Sequence, residues 1–156
     1  MQHCHVKFKI ASLEQMERLT RVVKELRHDK EAGQFRSDEE WKQFFSAEEL
    51  QSFWWPSDEE RDEWQRRWFS TPVETRFSDP TLQLPWDFSS MLDSIRDGEY
   101  SLIGVRAEGP QLGVLEFDPE AYPFGGTGCL RALILAYGHT LVGYDDGTGF
   151  TETTVA

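Results

Sequence analysis

The glycine-rich segment at residues 122–128 has the clearest potential in this sequence to approach a ligand. Gly125, Gly126, Thr127 and Gly128 precede an apolar helix, and the free amides at a helix N-terminus attract anions. The segment lacks the lysine of a P-loop, because Cys129 follows Gly128, and it lacks the spacing of a dinucleotide-binding fingerprint. A tight loop that requires glycine, with Thr127 as the helix N-cap, is the favoured interpretation, and an anion site is the alternative.

Carboxylates flank this segment at Asp118, Glu120, Asp145 and Asp146. If the strands that end at residues 117 and 144 lie close together, these side chains gather at one end of a sheet, where oxygen ligands suit Mg²⁺ or Ca²⁺. No calcium-loop spacing is present, and Asp146-Gly147 is also a common turn dipeptide. The predicted ligand-binding residues are therefore Gly125, Gly126, Thr127, Gly128, Asp118, Asp145 and Asp146, with the turn at 145–149 as the second wall.

Thiols and imidazoles give weaker indications. On a strand His3 and His5 share one face, so a zinc site would need a third ligand such as His139 or His28. Cys129 is expected at the second position of a helix, where the dipole lowers a thiol pKa, and His139 is a conceivable partner. No serine elbow, paired Cys-x-x-Cys or His-Glu-x-x-His occurs. We therefore predict no catalytic residue, no metal ligand and no cofactor, and expect a protein that is not an enzyme.

Periodicity predicts the elements that position these residues. A strand over residues 5–10 is followed by a helix over 13–27 that Ser12 caps, and a helix over 87–97 ends at Gly98. A hairpin pairs residues 100–107 with 111–117, and apolar residues on both faces indicate central strands covered on two sides. A helix over 128–137 and a strand over 139–144 complete the chain. This order predicts an α+β fold of the ferredoxin-like βαββαβ type.

A tryptophan-rich helical insert is predicted at residues 29–70. Three serine-acid signals, at Ser37, Ser46 and Ser57, each indicate the start of a short helix. A short edge strand is expected at residues 73–77, between Pro72 and Pro80. The insert is expected on the second face of the sheet or at its edge. Its tryptophans form either core and sheet cover, the favoured interpretation, or a partner surface of Trp54, Trp55 and Trp64.

The composition of the chain limits the classes of function that we expect. The 156 residues, 38% of them hydrophobic, are expected to form a single domain over residues 1–156. The net charge of −12 excludes nucleic acid as an expected ligand, and no apolar run is long enough to span a membrane. Two cysteines without paired spacing and no signal-like N-terminus favour the cytoplasm.

The leading hypothesis is a protein that acts through contacts with a basic protein, as an immunity protein or a regulatory subunit does, or as a homodimer. The alternative is a small-ligand or divalent-metal site at 118–128 and 145–149.

Overall fold

The first strand and helix form where the sequence pattern places them. A computed structural model describes residues 4–122 and 124–153. Strand β1 (Cys4–Lys9) leads to helix α1 (Leu13–Ala32), and the Ser12 side chain accepts a hydrogen bond from the Gln15 amide as N-cap. The helix is longer than expected and ends only at Gly33, whose φ of 68° is a left-handed C-cap. The predicted insert therefore loses its first residues to α1.

The three serine-acid signals each begin a helix, as predicted. Helices α2 (Asp38–Lys42), α3 (Ala47–Leu50) and α4 (Asp58–Ser70) start after Ser37, Ser46 and Ser57 respectively. In each helix the serine hydroxyl accepts from the third backbone amide, and the glutamate at that position accepts from the serine amide. These capping boxes satisfy amides that have no partner within the helix.

The predicted edge strand at residues 73–77 is wrong, because Val73–Arg76 forms the short helix α5. The amides of Thr75 and Arg76 bond to the carbonyl of Pro72, whose φ of −55° already suits a helical start. A single 3-10 turn follows at Pro80–Leu82. The segment pairs with no described strand of the sheet. Without a neighbouring strand, the alternation of its apolar residues does not produce a β-strand.

The second half of the chain supplies the other elements. Helix α6 (Phe88–Asp97) precedes strands β2 (Tyr100–Ala107) and β3 (Leu112–Pro119), and helix α7 (Gly128–Ala136) precedes β4 (Thr140–Asp145) and β5 (Phe150–Glu152). Gly98 is the C-cap of α6, as predicted, with a φ of −59°. Glycine is required there because the Tyr100 ring occupies the place of a Cβ.

The five strands form one antiparallel sheet in the order β2-β3-β1-β4-β5. Together with the helices this makes a mixed α+β fold. Strand β2 is an edge strand rather than a central one, and Ile103 and Val105 are only half-buried. The prediction is wrong for β2 and confirmed for β3, which lies between β2 and β1 and buries both Val114 and Leu115. Val114 lies on the face away from the core, paired with Lys7 and Arg106.

The core lies on one face of the sheet, beneath the helices. Val6 and Phe8 point into it, and His5 and Lys7 lie on the opposite face, beside Phe150. The insert does not cover that opposite face. It packs instead on the helical layer, where the Phe45 ring lies 5.1 Å from the rings of both Phe88 and Tyr137. Within the described ranges no helix is long and apolar enough to cross a membrane.

Candidate functional site

The glycines of the glycine-rich segment allow the backbone conformation that its loop requires. Gly125 and Gly126 have φ values of 102° and 81°, which side-chain-bearing residues rarely adopt. Gly125 lies beside Gly98, and Phe124 accepts a hydrogen bond from the Glu99 amide at 3.0 Å, so the loop is tied to the start of β2. Thr127 occupies the N-cap position of α7, but its buried side chain makes no capping hydrogen bond, contrary to expectation.

The two predicted walls of the ligand site meet at one end of the sheet. Cys4, in β1, pairs with Phe117 of β3, and the next residue, His5, pairs with Asp145 of β4. The Tyr122 hydroxyl is hydrogen-bonded to the Cys4 thiol and also lies against Gly147. Burial, and the nearby carboxylate of Asp145, raise the pKa of the Cys4 thiol. The loop after β3 and the turn after β4 are therefore neighbours.

The carboxylates of that turn are engaged by their own backbone. Asp145 accepts from the Gly147 amide at 2.9 Å, and Asp146 accepts from the Thr148 hydroxyl at 2.6 Å. The hydrogen bond from the Thr148 side chain lowers the pKa of Asp146. Among the residues that the structure describes, no group of three or more His, Cys, Asp or Glu side chains could hold a metal ion. These contacts favour a turn over a divalent-cation site.

The histidines do not converge. His3 lies outside the described residues. His139 contacts the Phe8 ring at 4.8 Å on the core face, where its Nδ1 accepts from the Ala11 amide, and His5 lies on the opposite face. The side chain of His28 is largely exposed next to Asp29. A zinc site that uses His5 and His139 together is excluded by this geometry.

Cys129 is a buried thiol rather than an activated one. It is the second residue of α7, as expected, and its sulfur lies 3.4 Å from the Tyr100 hydroxyl. Burial raises the pKa of the Cys129 thiol by more than the nearby donors lower it. The expectation of a lowered pKa is therefore wrong. His139 is hydrogen-bonded to α1 and its preceding loop instead.

The tryptophans divide between core and surface. Trp41 is completely buried. Of the three predicted surface residues, Trp54 is half-buried and its amide bonds to the carbonyl of Trp86, and Trp55 is exposed and stacked on Phe88. The third, Trp64, is half-buried, and its indole donates to the carbonyl of Leu82 at 3.0 Å.

Three exposed residues and one half-buried tryptophan form a further surface that the sequence reasoning did not single out. This aromatic patch consists of Trp68, Phe69, Val73 and Phe77. Trp68 extends the stacked pair with Trp64, at 5.3 Å, and meets the Phe77 ring edge-on at 5.1 Å. Arg76 lies over the rings of both Trp68 and Phe69. The patch therefore extends the stacked pair of Trp64 and Trp68 towards the solvent.

A second feature was also missed, a groove of about 520 Å³ beside α7. Its walls include Trp86, Tyr144 and the outward side of α7, and Arg131 contributes its positive charge, so we name it the Arg131 groove. One sequence signal could have indicated it. Gly128, Arg131, Ala132 and Leu135 recur at helical spacing and form a second face of α7, distinct from the core stripe.

Comparison with protein-family models, with curated proteins and with solved structures gives no match in any of the three.

Proposed function

We propose that this chain acts by binding another protein, and that the aromatic patch is the contact surface. One observation carries the proposal. Phe69, Val73 and Phe77 are 73%, 62% and 74% exposed. The Phe77 ring meets the Trp68 ring edge-on, and Arg76 lies over the rings of both Trp68 and Phe69. Isolated exposed apolar residues are common, but a contiguous aromatic group is typical of an interface.

The helix that carries the patch supports the same conclusion. Helix α4 has thirteen residues and none of them is buried. A helix normally buries an apolar stripe, since tertiary packing supplies most of its stability. Trp64 and Trp68 form the stripe of α4 and stack on each other. Trp64 also packs on Trp54 and Trp68 on Phe77, and none of these residues belongs to the core cluster. A partner that covers this stripe would give α4 the burial that it lacks.

The charge of the protein favours a basic partner. The formal net charge is −12, and each of the helices α2 to α4 begins with exposed acidic residues. Such a field accelerates association with a positively charged protein and makes the association rate sensitive to salt. An immunity protein or a regulatory subunit fits this description. A second copy of the chain is the competing partner, because α4 and α5, which carry the patch, contain arginines as well as acids.

Two finer assignments belong to the same proposal. We infer a ferredoxin-like arrangement, in which β5 extends a β4-β1-β3-β2 sheet, and the central antiparallel pairs support it. We also infer a non-enzymatic protein of the cytoplasm, in keeping with two free cysteines and the buried, high-pKa thiol of Cys129. The fold itself implies no activity.

A photocrosslinking experiment with matched positions tests the proposal. The photoreactive amino acid p-benzoyl-phenylalanine replaces Phe77 in one variant and Leu13 in the other, because both residues are 74% exposed. We expect a discrete crosslinked protein in cells from position 77 and none from position 13. Equal crosslinking at both positions, or none at either, would contradict the proposal.

The crosslinked protein is then purified and its affinity measured. We expect the double variant Phe69→Ser/Phe77→Ser to bind at least about tenfold more weakly, as the loss of interface aromatic residues predicts. Leu13→Ser is the control and should bind as the unmodified chain does. Light scattering distinguishes the homodimer, since a dimer that Phe77→Ser converts to monomer identifies the partner as a second copy.

A further inference from the structure

The Arg131 groove has the shape and lining of a small-molecule site. Its volume, about 520 Å³, falls within the range of roughly 300–1,000 Å³ typical of ligand pockets. Leu135, Leu141 and Ala132 provide an apolar surface, and the Trp86 and Tyr144 rings add flat aromatic walls. Trp86 closes over the first turn of α7, with its ring against Gly128. A flat apolar molecule would be covered by these groups.

The groove contains one fixed positive charge, that of Arg131, in a protein that is acidic as a whole. Arg131 and Glu152 are the two charged residues in its lining. The Arg131 guanidinium lies 4.7 Å from the centre of the Tyr144 ring and forms no ion pair with any described carboxylate. No Lys or Arg follows Arg131 in the sequence. Since no described carboxylate forms an ion pair with it, the Arg131 guanidinium is available to an anion that enters the groove.

Two polar atoms of the lining also lack protein partners. The Nε of Arg131 and the hydroxyl oxygen of Thr153 are both shielded from solvent, and neither forms a hydrogen bond within the described part of the chain. A shielded donor left without an acceptor costs about 1–3 kcal/mol, so such atoms are uncommon. Both atoms belong to residues that line the same groove.

The geometry points to a ligand, and we propose that the Arg131 groove binds a small organic anion with a flat apolar body, such as an aromatic carboxylate or sulfonate. Its acid group accepts hydrogen bonds from the Arg131 guanidinium, which suits planar anions. Its body lies along Trp86, Tyr144 and the apolar side of α7. The positive end of the α7 dipole, at Gly128, adds to the attraction. This site is independent of the aromatic patch, because the two share no residue.

A pair of fluorescent dyes distinguishes the contribution of the acid group to binding from the contribution of the apolar body. 8-Anilinonaphthalene-1-sulfonate is anionic, and N-phenyl-1-naphthylamine has the same aromatic framework without the sulfonate. We expect the chain to bind the anionic dye at one site, at least about tenfold more tightly than the neutral dye, as a charge-assisted hydrogen bond predicts. Equal affinities for the two dyes would overturn the proposal.

Variants then locate the site. Arg131→Gln should lower the affinity for the anionic dye by about tenfold and leave that for the neutral dye unchanged, since only the charge is removed. Arg131→Lys should restore part of the lost affinity, and Trp86→Ala should weaken both dyes. Arg96→Gln is the matched control, because Arg96 is an exposed arginine paired with Asp93 and Asp97.

Two results would contradict this location. One is an Arg131→Gln variant that unfolds at the same urea concentration as the unmodified chain and binds the anionic dye equally well. The other is loss of the dye in Phe69→Ser/Phe77→Ser, which would place it on the aromatic patch. Retention of the dye by that double variant separates this proposal from the proposed protein contact.

Discussion

Two consecutive segments between α1 and α6 begin with the same sequence signal and have opposite environments. The inner segment, residues 34–56, contains α2 and α3, and the outer segment, residues 57–86, contains α4 and α5. Both segments carry serine capping boxes, leading acids and tryptophans. The inner segment buries Trp41, Phe45 and Phe53, and α4 buries no residue. Capping therefore determines where a helix begins but not whether the helix joins the core.

The difference lies in bonds to distant parts of the chain. In the inner segment, Glu49 accepts two hydrogen bonds from Arg18 of α1, and the carbonyl of Phe44 accepts one from the Tyr137 hydroxyl. In the outer segment, the Trp64 indole bonds to Leu82, which belongs to the same segment. The amide of Trp54, which shortly precedes the outer segment, bonds to the carbonyl of Trp86 at the end of that segment, so the chain enters and leaves the outer segment at nearly the same place. The inner segment is part of the core, and the outer segment is largely self-contained.

The largest expected effect separates two tryptophans. Trp41→Ala should lower the free energy of unfolding by about 3–5 kcal/mol, because it empties a fully buried site between Phe35 and Phe44. Trp68→Ala, in the aromatic patch, should cost about 1 kcal/mol or less. Urea unfolding measures both. Equal losses would show that the outer segment belongs to the same cooperative unit as the core.

A smaller effect distinguishes two capping glutamates. Glu49→Gln should cost about 1–3 kcal/mol, because Glu49 is buried and holds charge-assisted hydrogen bonds from Arg18. Glu60→Gln should change the free energy of unfolding by less than about 0.5 kcal/mol, because Glu60 is exposed. A cost for Glu60→Gln as large as that for Glu49→Gln would remove the distinction between the segments.

The Glu49 contribution depends on pH in a defined direction. Burial raises the pKa of Glu49, but hydrogen bonds from Arg18, Gln15 and the Ser46 amide outweigh it, so the folded-state pKa lies below the model-peptide value of 4.5. The stabilisation is therefore fully present above pH 4.5 and is lost as the pH falls through the folded-state value. The stability difference between the unmodified chain and Glu49→Gln should shrink below pH 4.5. A difference that stays constant with pH would mean that the stability lost in Glu49→Gln comes from altered packing of the side chain and not from loss of the carboxylate charge.

Local signals made part of this fold predictable. The three serine-acid starts, the strand at β1 and the helix that begins at Phe88 depend on residues a few positions apart, so the sequence alone was enough. The helix at 73–76 and the edge position of β2 were missed. Both depend on which strands become neighbours, and that is decided by contacts between residues far apart in sequence.

The candidate site was harder to predict for the same reason. The approach of the 118–122 loop to the 145–147 turn followed from strand pairing and was anticipated. The Arg131 groove combines residues from 52 to 153, so no single motif contains it. Arg131 gained significance only when the structure placed its Nε in this groove without a hydrogen-bond partner among the described residues. A pattern of residue types cannot indicate an absent partner.

Removal of single caps should affect the two segments differently. Ser46→Ala should lower the global free energy of unfolding by about 1 kcal/mol, since its amide and hydroxyl both bond to the buried Glu49. Ser57→Ala removes an equivalent cap from α4. There we expect faster hydrogen exchange of α4 amides with little change in the global value. Hydrogen exchange followed by mass spectrometry measures both effects. If the exchange rates of the α4 amides are unchanged in Ser57→Ala, the claimed difference between the two segments is wrong.

The smallest effect concerns the exposed rings themselves. Phe77→Ser and Phe69→Ser should each change the free energy of unfolding by less than about 0.5 kcal/mol, as should Leu13→Ser, because all three side chains are mostly in water. Urea unfolding with the single variants measures this. A loss of more than about 1 kcal/mol in the phenylalanine variants alone would mean that the patch stabilises the isolated chain. A negligible loss means that folding does not require these rings on the surface, which is the result that the proposed contact with a partner predicts.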